Sequence, residues 1–402
     1  MKYDFETIIE RKGKDALAVD AIGGGWAPGA PKEGFDVIPM WVADMNFATV
    51  PTISEAIIER ANHPLFGYFS AREEYYSSII EWQRKRNGVE RLLPEHIGYE
   101  NGVLGGLLSA LGALVPRGSS VLVNSPVYMG FRGSLKNAGY DMVESPLYLA
   151  EGGVWRLDFD DMEKKLAEKS IHAAIFCSPH NPTGRVWEKW EIEKAMALYE
   201  KYDVSVVADE IWSDIILSGN KHIPTQSVSE YARKNTVALY APSKTFNLAG
   251  LIGAYHIIYN KRIHDLVKKE ASLSHYNSMN VLSMHTLIGA YKPEGHEWAD
   301  ELCAVITKNV DFACEYINAH FKGVNVSRPQ GTYMVFMDCR EWMEAHGKTL
   351  EELVKMGHDV GVAWQNGTAH GGTHHIRLNL ALPLSRVKEA FERMDKYVFN
   401  AE

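Results

Sequence analysis

The chain has 402 residues, of which 46% are hydrophobic and 23% are charged, as in ordinary globular proteins. This length predicts about two domains at roughly 100–200 residues each. The net charge of −9 and the lack of a Lys/Arg block argue against a nucleic-acid-binding protein.

The N-terminus and the cysteines indicate the compartment. The first twenty residues, MKYDFETIIERKGKDALAVD, mix acids and bases and contain no apolar run like that of a signal peptide. No window approaches the about 18–20 consecutive apolar residues of a membrane span. The four cysteines form neither a CxxC nor a zinc pattern: Cys177, Cys303, Cys314 and Cys339. We therefore expect reduced, buried thiols in a cytoplasmic protein, with neither membrane nor nucleic acid as a partner.

The middle of the chain alternates short apolar runs with helical patterns, such as LDFDDMEKKLAEK and EKWEIEKAMALYEKY. The apolar runs have the pattern of strands buried on both faces: SVLVNSP (120–126), HAAIFCSP (172–179), VSVVADE (204–210), TVALYAPS (236–243) and GAYHIIY (253–259). Such alternation predicts an α/β fold, in which helices cover a mostly parallel sheet.

The pattern changes after residue 290. A long amphipathic segment, WADELCAVITKNVDFACEYINAHF, precedes the strand-like runs TYMVFMD and HHIRLNLAL, which predicts a smaller α+β domain. The first 50 residues, with the apolar run VIPMWVADM, fit neither pattern and are expected to pack on this smaller domain. The predicted division is therefore 51–289 for the large domain and 1–50 plus 290–402 for the small domain.

Polar residues stand at the ends of four predicted strands: SPVY (125–128), SPHN (178–181), DE (209–210) and SK (243–244). In open α/β sheets, ligands bind beyond the carboxyl ends of the strands. We therefore expect a ligand site at this edge of the sheet.

Lys244 is the single charged residue in VALYAPSKTFNLAGLIGAY (237–255). One interpretation is a lysine whose ammonium group extends into solvent. The other is a partly desolvated amine with a lowered pKa, which is a nucleophile toward carbonyls and forms Schiff bases. The second interpretation requires a cofactor with an aldehyde group, and hence a site for that cofactor.

The stretch GYENGVLGGLLSALGALV opens with glycines and continues with leucines at helical spacing. We expect the exposed amides of Gly102, Val103 and Leu104 to form an anion site at the helix N-terminus. The spacing matches neither GxGxxG nor GxxxxGK[ST], which argues against a dinucleotide or ATP site. Taken alone, such a helix start is most often only a turn.

Four further residues have both a structural and a functional interpretation. Asp209 ends a β-branched strand, where an acid requires a partner, or else caps a helix. Asn181 lies in the turn SPHNPTG, and Tyr128 fits a core position. Arg377, in HHIRLNL, is either an edge residue paired with a surface acid or a guanidinium for bidentate capture of a carboxylate.

The ordered set NGVLGG…SPVY…SPHNPTG…VADEIW…APSKTFNLAGL…HIRLNLA resembles the pyridoxal-phosphate enzymes of the aspartate-aminotransferase fold type, also called fold type I. The resemblance covers nearly the whole chain. Two stretches, MWVADMNFATVP (40–51) and HPLFGY (63–68), resemble the branch of cystathionine β-lyases and cysteine-S-conjugate β-lyases. The resemblance implies pyridoxal 5′-phosphate (PLP), a seven-stranded, mostly parallel mixed sheet in the large domain, and a homodimer with shared active sites.

The resemblance also implies roles for individual residues. Lys244 would carry the cofactor covalently and act as the base at the substrate Cα, and Asp209 would pair with the pyridinium nitrogen so that the ring accepts electrons. The other implied cofactor contacts are Tyr128 on the ring, Asn181 at its 3-oxygen, the Gly102 helix with the Val103 and Leu104 amides and Ser243 at the phosphate, Trp212 beside the ring, and Tyr68 from the neighbouring subunit. Arg377 would bind the substrate α-carboxylate, and Trp41 would border the substrate pocket.

Several positions depart from the wider family. Many aminotransferases have a serine three residues before the lysine and an arginine eight after it, both at the phosphate, where this chain has Ala241 and Ile252. Trp212 stands where a tyrosine is frequent, and its indole donates a hydrogen bond but accepts none. Asn46 replaces the acid of the branch motif ADMDF.

The loop before Arg377, WQNGTAHGGTHH, is rich in histidine and lacks an aromatic-Gly pattern. The H-x₃-HH spacing of His370, His374 and His375 is a weak metal pattern, and no metal is predicted. We expect these departures to affect the choice of substrate more than the cofactor.

The predicted activity is a PLP-dependent β-elimination that cleaves the C–S bond of cystathionine, cysteine or an S-substituted cysteine to a thiol, pyruvate and ammonia. The alternatives are an aminotransferase and, from a different class, a regulatory binding protein on the same fold. The shape of the substrate pocket depends on side chains that include Trp212, Trp364 and His275.

Overall fold

The computed structural model describes residues 1–273 and 277–401. The strands are β1 (Ile38–Pro39), β2 (Ile97–Glu100), β3 (Ser120–Ser125), β4 (Asp141–Pro146), β5 (Tyr148–Ala150), β6 (Val154–Arg156), β7 (Ile171–Cys177), β8 (Ser205–Asp209), β9 (Thr236–Tyr240), β10 (Ala254–Ile257), β11 (Asn325–Val326), β12 (Met334–Asp338), β13 (Val362–Ala363), β14 (Gln365–Asn366) and β15 (His375–Asn379). The α-helices are α1 (Leu17–Asp20), α2 (Pro51–Ala61), α3 (Glu73–Asn87), α4 (Val103–Leu114), α5 (Met129–Ala138), α6 (Phe159–Glu168), α7 (Lys189–Lys201), α8 (Glu230–Asn235), α9 (Lys261–Leu273), α10 (Val281–Ala290), α11 (Pro293–His320), α12 (Arg340–His346), α13 (Leu350–Asp359) and α14 (Leu384–Met394).

The largest sheet has seven strands in the order β2-β10-β9-β8-β7-β3-β4. Strand β10 is antiparallel to both of its neighbours, whereas the pairs from β9 across to β4 are parallel. The prediction of a seven-stranded, mostly parallel mixed sheet is therefore confirmed, and the five predicted runs form β3, β7, β8, β9 and β10.

Alternate residues of the central strands pack into two apolar layers, because successive side chains of a strand point to opposite faces. In β3, Val121 and Val123 join the layer that contains Leu107 of α4. Leu122 joins the opposite layer with Met162 of α6 and Met196 of α7. Burial on both faces accounts for the near-continuous apolar runs in the sequence.

A second, antiparallel sheet lies in the C-terminal part of the chain, with four strands in the order β11-β12-β15-β14. The N-terminal segment contacts this region. Strand β1 pairs in parallel with β13, and the amide of Asn379 donates to the Met40 carbonyl at 2.8 Å. The exact division into two domains stays a prediction.

Within the described ranges, 1–273 and 277–401, no helix combines the length and the apolar character needed to cross a membrane.

Candidate active site

A cavity of about 240 Å³ opens at the carboxyl edge of the central parallel strands. Strands β7 and β8 end side by side, with Cys177 paired in register with Asp209. Nine of the ten predicted cofactor-binding residues line this cavity: Gly102, Val103, Leu104, Tyr128, Asn181, Asp209, Trp212, Ser243 and Lys244. The strand-end rule therefore located the site, while the roles of these residues stay predictions.

Lys244 lies in the turn that follows β9, and its ammonium faces the cavity. Its Nζ donates to the Ala43 carbonyl at 2.8 Å and lies 5.7 Å from the centroid of the Trp212 ring. Burial, together with the nearby charge of Arg377, lowers the pKa of Lys244 to about 8, although Asp44 and Asp209 oppose this change. The interpretation as a solvent-directed lysine is therefore wrong, and the amine is close to its reactive, unprotonated state at neutral pH.

Asp209, the last residue of β8, is buried and lines the cavity. One of its oxygens accepts the amide of Ile211 at 3.1 Å, so part of the carboxylate serves a local turn. Burial raises the pKa of Asp209 to about 6, opposed by that amide and by the charge of Lys244. A buried carboxylate with this raised pKa is stabilised by any cation that enters the cavity beside it.

The neighbouring acid, Glu210, has a structural role. It accepts the Tyr240 hydroxyl at 2.6 Å, the Thr225 amide at 2.8 Å, and a bond from His222 Nε2 at 2.8 Å. These contacts satisfy its carboxylate and fix the turn after β8. Of the two adjacent acids, the one at the end of the strand is therefore available to a ligand.

Helix α4 points its N-terminus at the cavity. Gly102, its N-cap, has a φ of +80°, which a residue with a side chain rarely adopts. The Gly102 amide donates to the Glu100 carbonyl at 2.9 Å, so the expectation that this amide is free is wrong. The following amides, of Val103, Leu104 and Gly105, have no acceptor within the helix, and all three residues line the cavity.

Arg377 is buried in β15, beside the cavity, without being part of its lining. Its guanidinium donates to Asn181 Oδ1 at 3.1 Å and to the Trp41 carbonyl at 3.2 Å, while its Nε has no partner among the described residues. Burial lowers the pKa of Arg377 to about 10. The interpretation as an edge residue paired with a surface acid is wrong, because the described residues provide no carboxylate partner for this buried cation.

Trp41 contributes its carbonyl rather than its ring. The indole donates to the Ala18 carbonyl at 2.9 Å and packs on Trp26, and Trp41 does not line the cavity. Trp212 lines the cavity and packs edge-on against Tyr333, at 4.7 Å between ring centroids. Trp364 is buried away from the cavity, and His275 lies outside the described residues.

Tyr68 does not line the cavity of its own chain. It is fully exposed and lies on a groove with Phe66, Phe69 and Met279. Within residues 1–273 and 277–401, no group of three His, Cys, Asp or Glu side chains is arranged to hold a metal ion.

Several residues of the lining are not among those that the sequence predicts. Cys177 and Gly105 could have been found, since one ends a predicted strand and the other lies in the glycine-rich helix start. Ala43 could not, because only the tertiary fold brings the N-terminal segment against Lys244.

The family model described as aminotransferase class I and II matches residues 36–394. The chain belongs to this family. It is 32% identical over 361 residues to cystathionine beta-lyase PatB of Bacillus subtilis (strain 168), covering 89% of this chain and 92% of that one. The fold-type prediction and the resemblance to the lyase branch are thereby confirmed.

Two solved structures are similar over almost the whole chain. The PLP-bound C–S lyase from Staphylococcus hominis has a TM-score of 0.88 and 28% identity, covering 98% of each chain. Cystalysin from Treponema denticola, which contains pyridoxal 5′-phosphate, has a TM-score of 0.89 and 29% identity, covering 99% of each chain.

Proposed function

We propose that this chain is a PLP-dependent carbon–sulfur β-lyase that acts on cystathionine, cysteine or S-substituted cysteines. The observation that carries the proposal is one cavity lined by the buried acid Asp209 and the half-buried amine of Lys244, with the buried guanidinium of Arg377 beside it. The names of its relatives support elimination as the reaction, since they are cystathionine β-lyases and C–S lyases.

The residues fit the cofactor. Asp209 would hold a proton on the pyridine nitrogen, because the positive charge of the protonated ring would stabilise the carboxylate against the desolvation that raises its pKa. The amides of Val103 and Leu104, with Ser243, would hold the phosphate at the start of α4. Tyr128 would lie on the ring face. When bound, PLP accepts the electron pair left at the substrate Cα.

Arg377 would bind the substrate carboxylate. This carboxylate would be the anionic partner of the buried guanidinium, for which the described residues provide none. Its contact with Asn181 orients the guanidinium beside the cavity. Lys244 would take the proton from Cα in its neutral form, which its lowered pKa makes available. Loss of a thiolate from Cβ leaves a three-carbon fragment, which one water molecule converts to pyruvate and ammonia.

A homodimer is part of the proposal. The segment from Leu65 to Phe69 exposes Leu65, Phe66 and Tyr68 together, and Tyr68 does not reach the cavity of its own chain. A second copy would bury this apolar segment and bring Tyr68 to the phosphate of its partner's cofactor. Light scattering should give the mass of two chains. A fully active single chain would contradict this arrangement.

We also propose that the protein works in the cytoplasm. Its four cysteines are unpaired in the structure, and burial raises the pKa of all four thiols. Thiols kept unpaired suit a reducing compartment.

The test of function uses the PLP-loaded protein with cystathionine, cysteine and S-methylcysteine, each without a keto acid. Release of pyruvate and thiol supports the lyase. Glutamate formed from an amino acid and 2-oxoglutarate, without pyruvate, would instead identify an aminotransferase. If the protein takes up no PLP, and if the Lys244→Ala variant keeps a regulatory role, the protein is a regulatory binding protein and not an enzyme.

A further inference from the structure

The histidine-rich loop before Arg377 contains a buried side chain that the mechanism does not use. Residues Gly367–His370 form one 3-10 turn, which starts where Asn366 Oδ1 accepts the Thr368 amide at 2.8 Å. The turn ends at Gly371, whose φ of +91° reverses the chain. His370 closes the turn and is fully buried, whereas His374 and His375 are partly exposed.

His370 and Val127 are joined by two hydrogen bonds. The Val127 amide donates to the His370 carbonyl at 2.8 Å, and His370 Nδ1 lies 3.1 Å from the Val127 carbonyl. Burial lowers the pKa of His370 to about 3, so the ring is neutral and its proton lies on the nitrogen that faces this carbonyl. Val127 directly precedes Tyr128, which lines the cavity.

The other ring nitrogen of His370 faces Gln365. Nε2 lies 3.3 Å from Oε1 of the Gln365 side-chain amide. A ring protonated on Nδ1 has a lone pair on Nε2, so this hydrogen bond forms when the Gln365 amide is turned with its NH₂ group toward the ring. Gln365 belongs to β14, and its register partner across the antiparallel pair with β15 is Arg377. One imidazole thus connects the backbone beside Tyr128 with the strand pair that carries Arg377.

We propose that His370 is a positioning residue that fixes Tyr128 and Arg377 relative to each other, and with them the cofactor ring relative to the substrate carboxylate. It acts through Val127 and Gln365, and it is not part of the cavity lining. The proposal rests on the proposed function, in which these two residues contact the cofactor and the substrate. Active sites lose catalytic efficiency when the residues that support the binding groups let those groups move by about 1 Å.

The test compares full-length, PLP-loaded variants with S-methylcysteine as the substrate. His370→Leu places an apolar side chain in the site and removes the two hydrogen bonds of the imidazole, to the Val127 carbonyl and to Gln365, so KM should rise about fivefold to tenfold with a smaller change in kcat. The visible circular dichroism of bound PLP should change as well, because it reports the asymmetric surroundings of the ring. His370→Asn, whose NH₂ group can replace the Nδ1 donor, should restore most of both readouts.

His374→Asn is the matched control, because His374 belongs to the same loop and its side chain hydrogen-bonds to the neighbouring Thr373 rather than to Val127 or Gln365. It should match the unsubstituted protein. The proposal is overturned if His370→Leu, loaded with PLP, keeps the original KM and dichroism, or if His370→Asn behaves like His370→Leu.

Should His370→Leu fail to fold, Gln365→Leu cuts the second connection alone and should raise KM in the same direction by a smaller factor. An unchanged KM would then overturn the proposal. Quenching of tryptophan fluorescence by S-methylcysteine gives Kd for each variant even where no product forms. An unsubstituted protein that binds this amino acid without releasing pyruvate would therefore refute the proposed function separately from the role of His370.

Discussion

Two regions around the cavity contain charged groups whose protonation responds differently to burial. We call Asp209 and Lys244, beyond the strand ends of the seven-stranded sheet, the floor, and we call Arg377, which lies on the four-stranded sheet beside the cavity without lining it, the side wall. Burial lowers the pKa of Lys244 to about 8 and raises that of Asp209 to about 6, so both floor groups change protonation near neutral pH. Burial lowers the pKa of Arg377 only to about 10, which leaves the side wall charged.

The difference follows from the chemistry of the two cations. A desolvated ammonium loses its proton readily, whereas a delocalised guanidinium keeps its charge in a similar environment. Desolvation therefore brings the amine of the floor near its neutral form, whereas the guanidinium of the side wall stays charged.

The largest expected effect is at the reactive amine of the floor. Lys244→Ala should lower the rate of pyruvate release at least about 10³-fold, because it removes both the base and the covalent attachment. The variant should also lack the visible absorption band of the loaded protein. Lys261→Ala, at an exposed lysine paired with Asp265, is the control and should keep full activity. Normal turnover in the Lys244 variant would exclude the proposed chemistry.

Asp209→Asn should lower kcat by about 10²-fold to 10³-fold, because an amide of the same shape cannot hold a proton on the ring nitrogen. Its contact with the Ile211 amide is retained, so stability should change little. Asp265→Asn, at an exposed site, is the control. Activity near the original level would mean that the floor needs no negative charge.

On the side wall, Arg377→Lys should raise KM about 10-fold to 100-fold with a smaller effect on kcat, since a single ammonium cannot bind a carboxylate in a bidentate manner. Steady-state kinetics over a range of S-methylcysteine concentrations measures the two parameters. A loss in kcat alone would place Arg377 among the reacting groups, and the side wall would then not differ in role from the floor.

The floor should also respond to pH. Only the unprotonated amine of Lys244 reacts with the aldehyde, so the rate of PLP uptake should rise about tenfold per pH unit and level off above its pKa. That pKa is lowered to about 8 by burial and by Arg377. N-acetyl-lysine, a solvated amine, is the comparison and should keep gaining rate to a higher pH. If the rate of PLP uptake by the protein and the rate of reaction of N-acetyl-lysine level off at the same pH, the amine of Lys244 is not desolvated.

The smallest effect concerns the phosphate. Ile252 lines the cavity and is 55% exposed, at the position where many aminotransferases have an arginine. Ile252→Lys should lower the Kd for PLP about twofold to fivefold, and the gain should shrink at high salt. Ile252→Met, which adds length without charge, should show no such gain. Equal affinities in both variants would indicate that the phosphate lies elsewhere.

The strand patterns were predictable because apolar runs buried on both faces are a local property of the sequence, and β3, β7, β8 and β9 lie where these runs indicated. The strand-end residues followed from them, since parallel strands bring their carboxyl ends to one edge. The occupied amide of Gly102 was not predictable, because its acceptor depends on how the chain turns between β2 and α4.

The sequence by itself determined the α/β class, the lysine and the strand-end acid that line the cavity, and the family resemblance, because each depends on residue type and order along the chain. Only the tertiary structure decided which contacts these residues make. It brought Ala43 to Lys244, turned Trp41 so that its carbonyl meets Arg377, and buried His370 while leaving His374 partly exposed. These outcomes depend on packing between segments far apart in the chain, which no local pattern encodes.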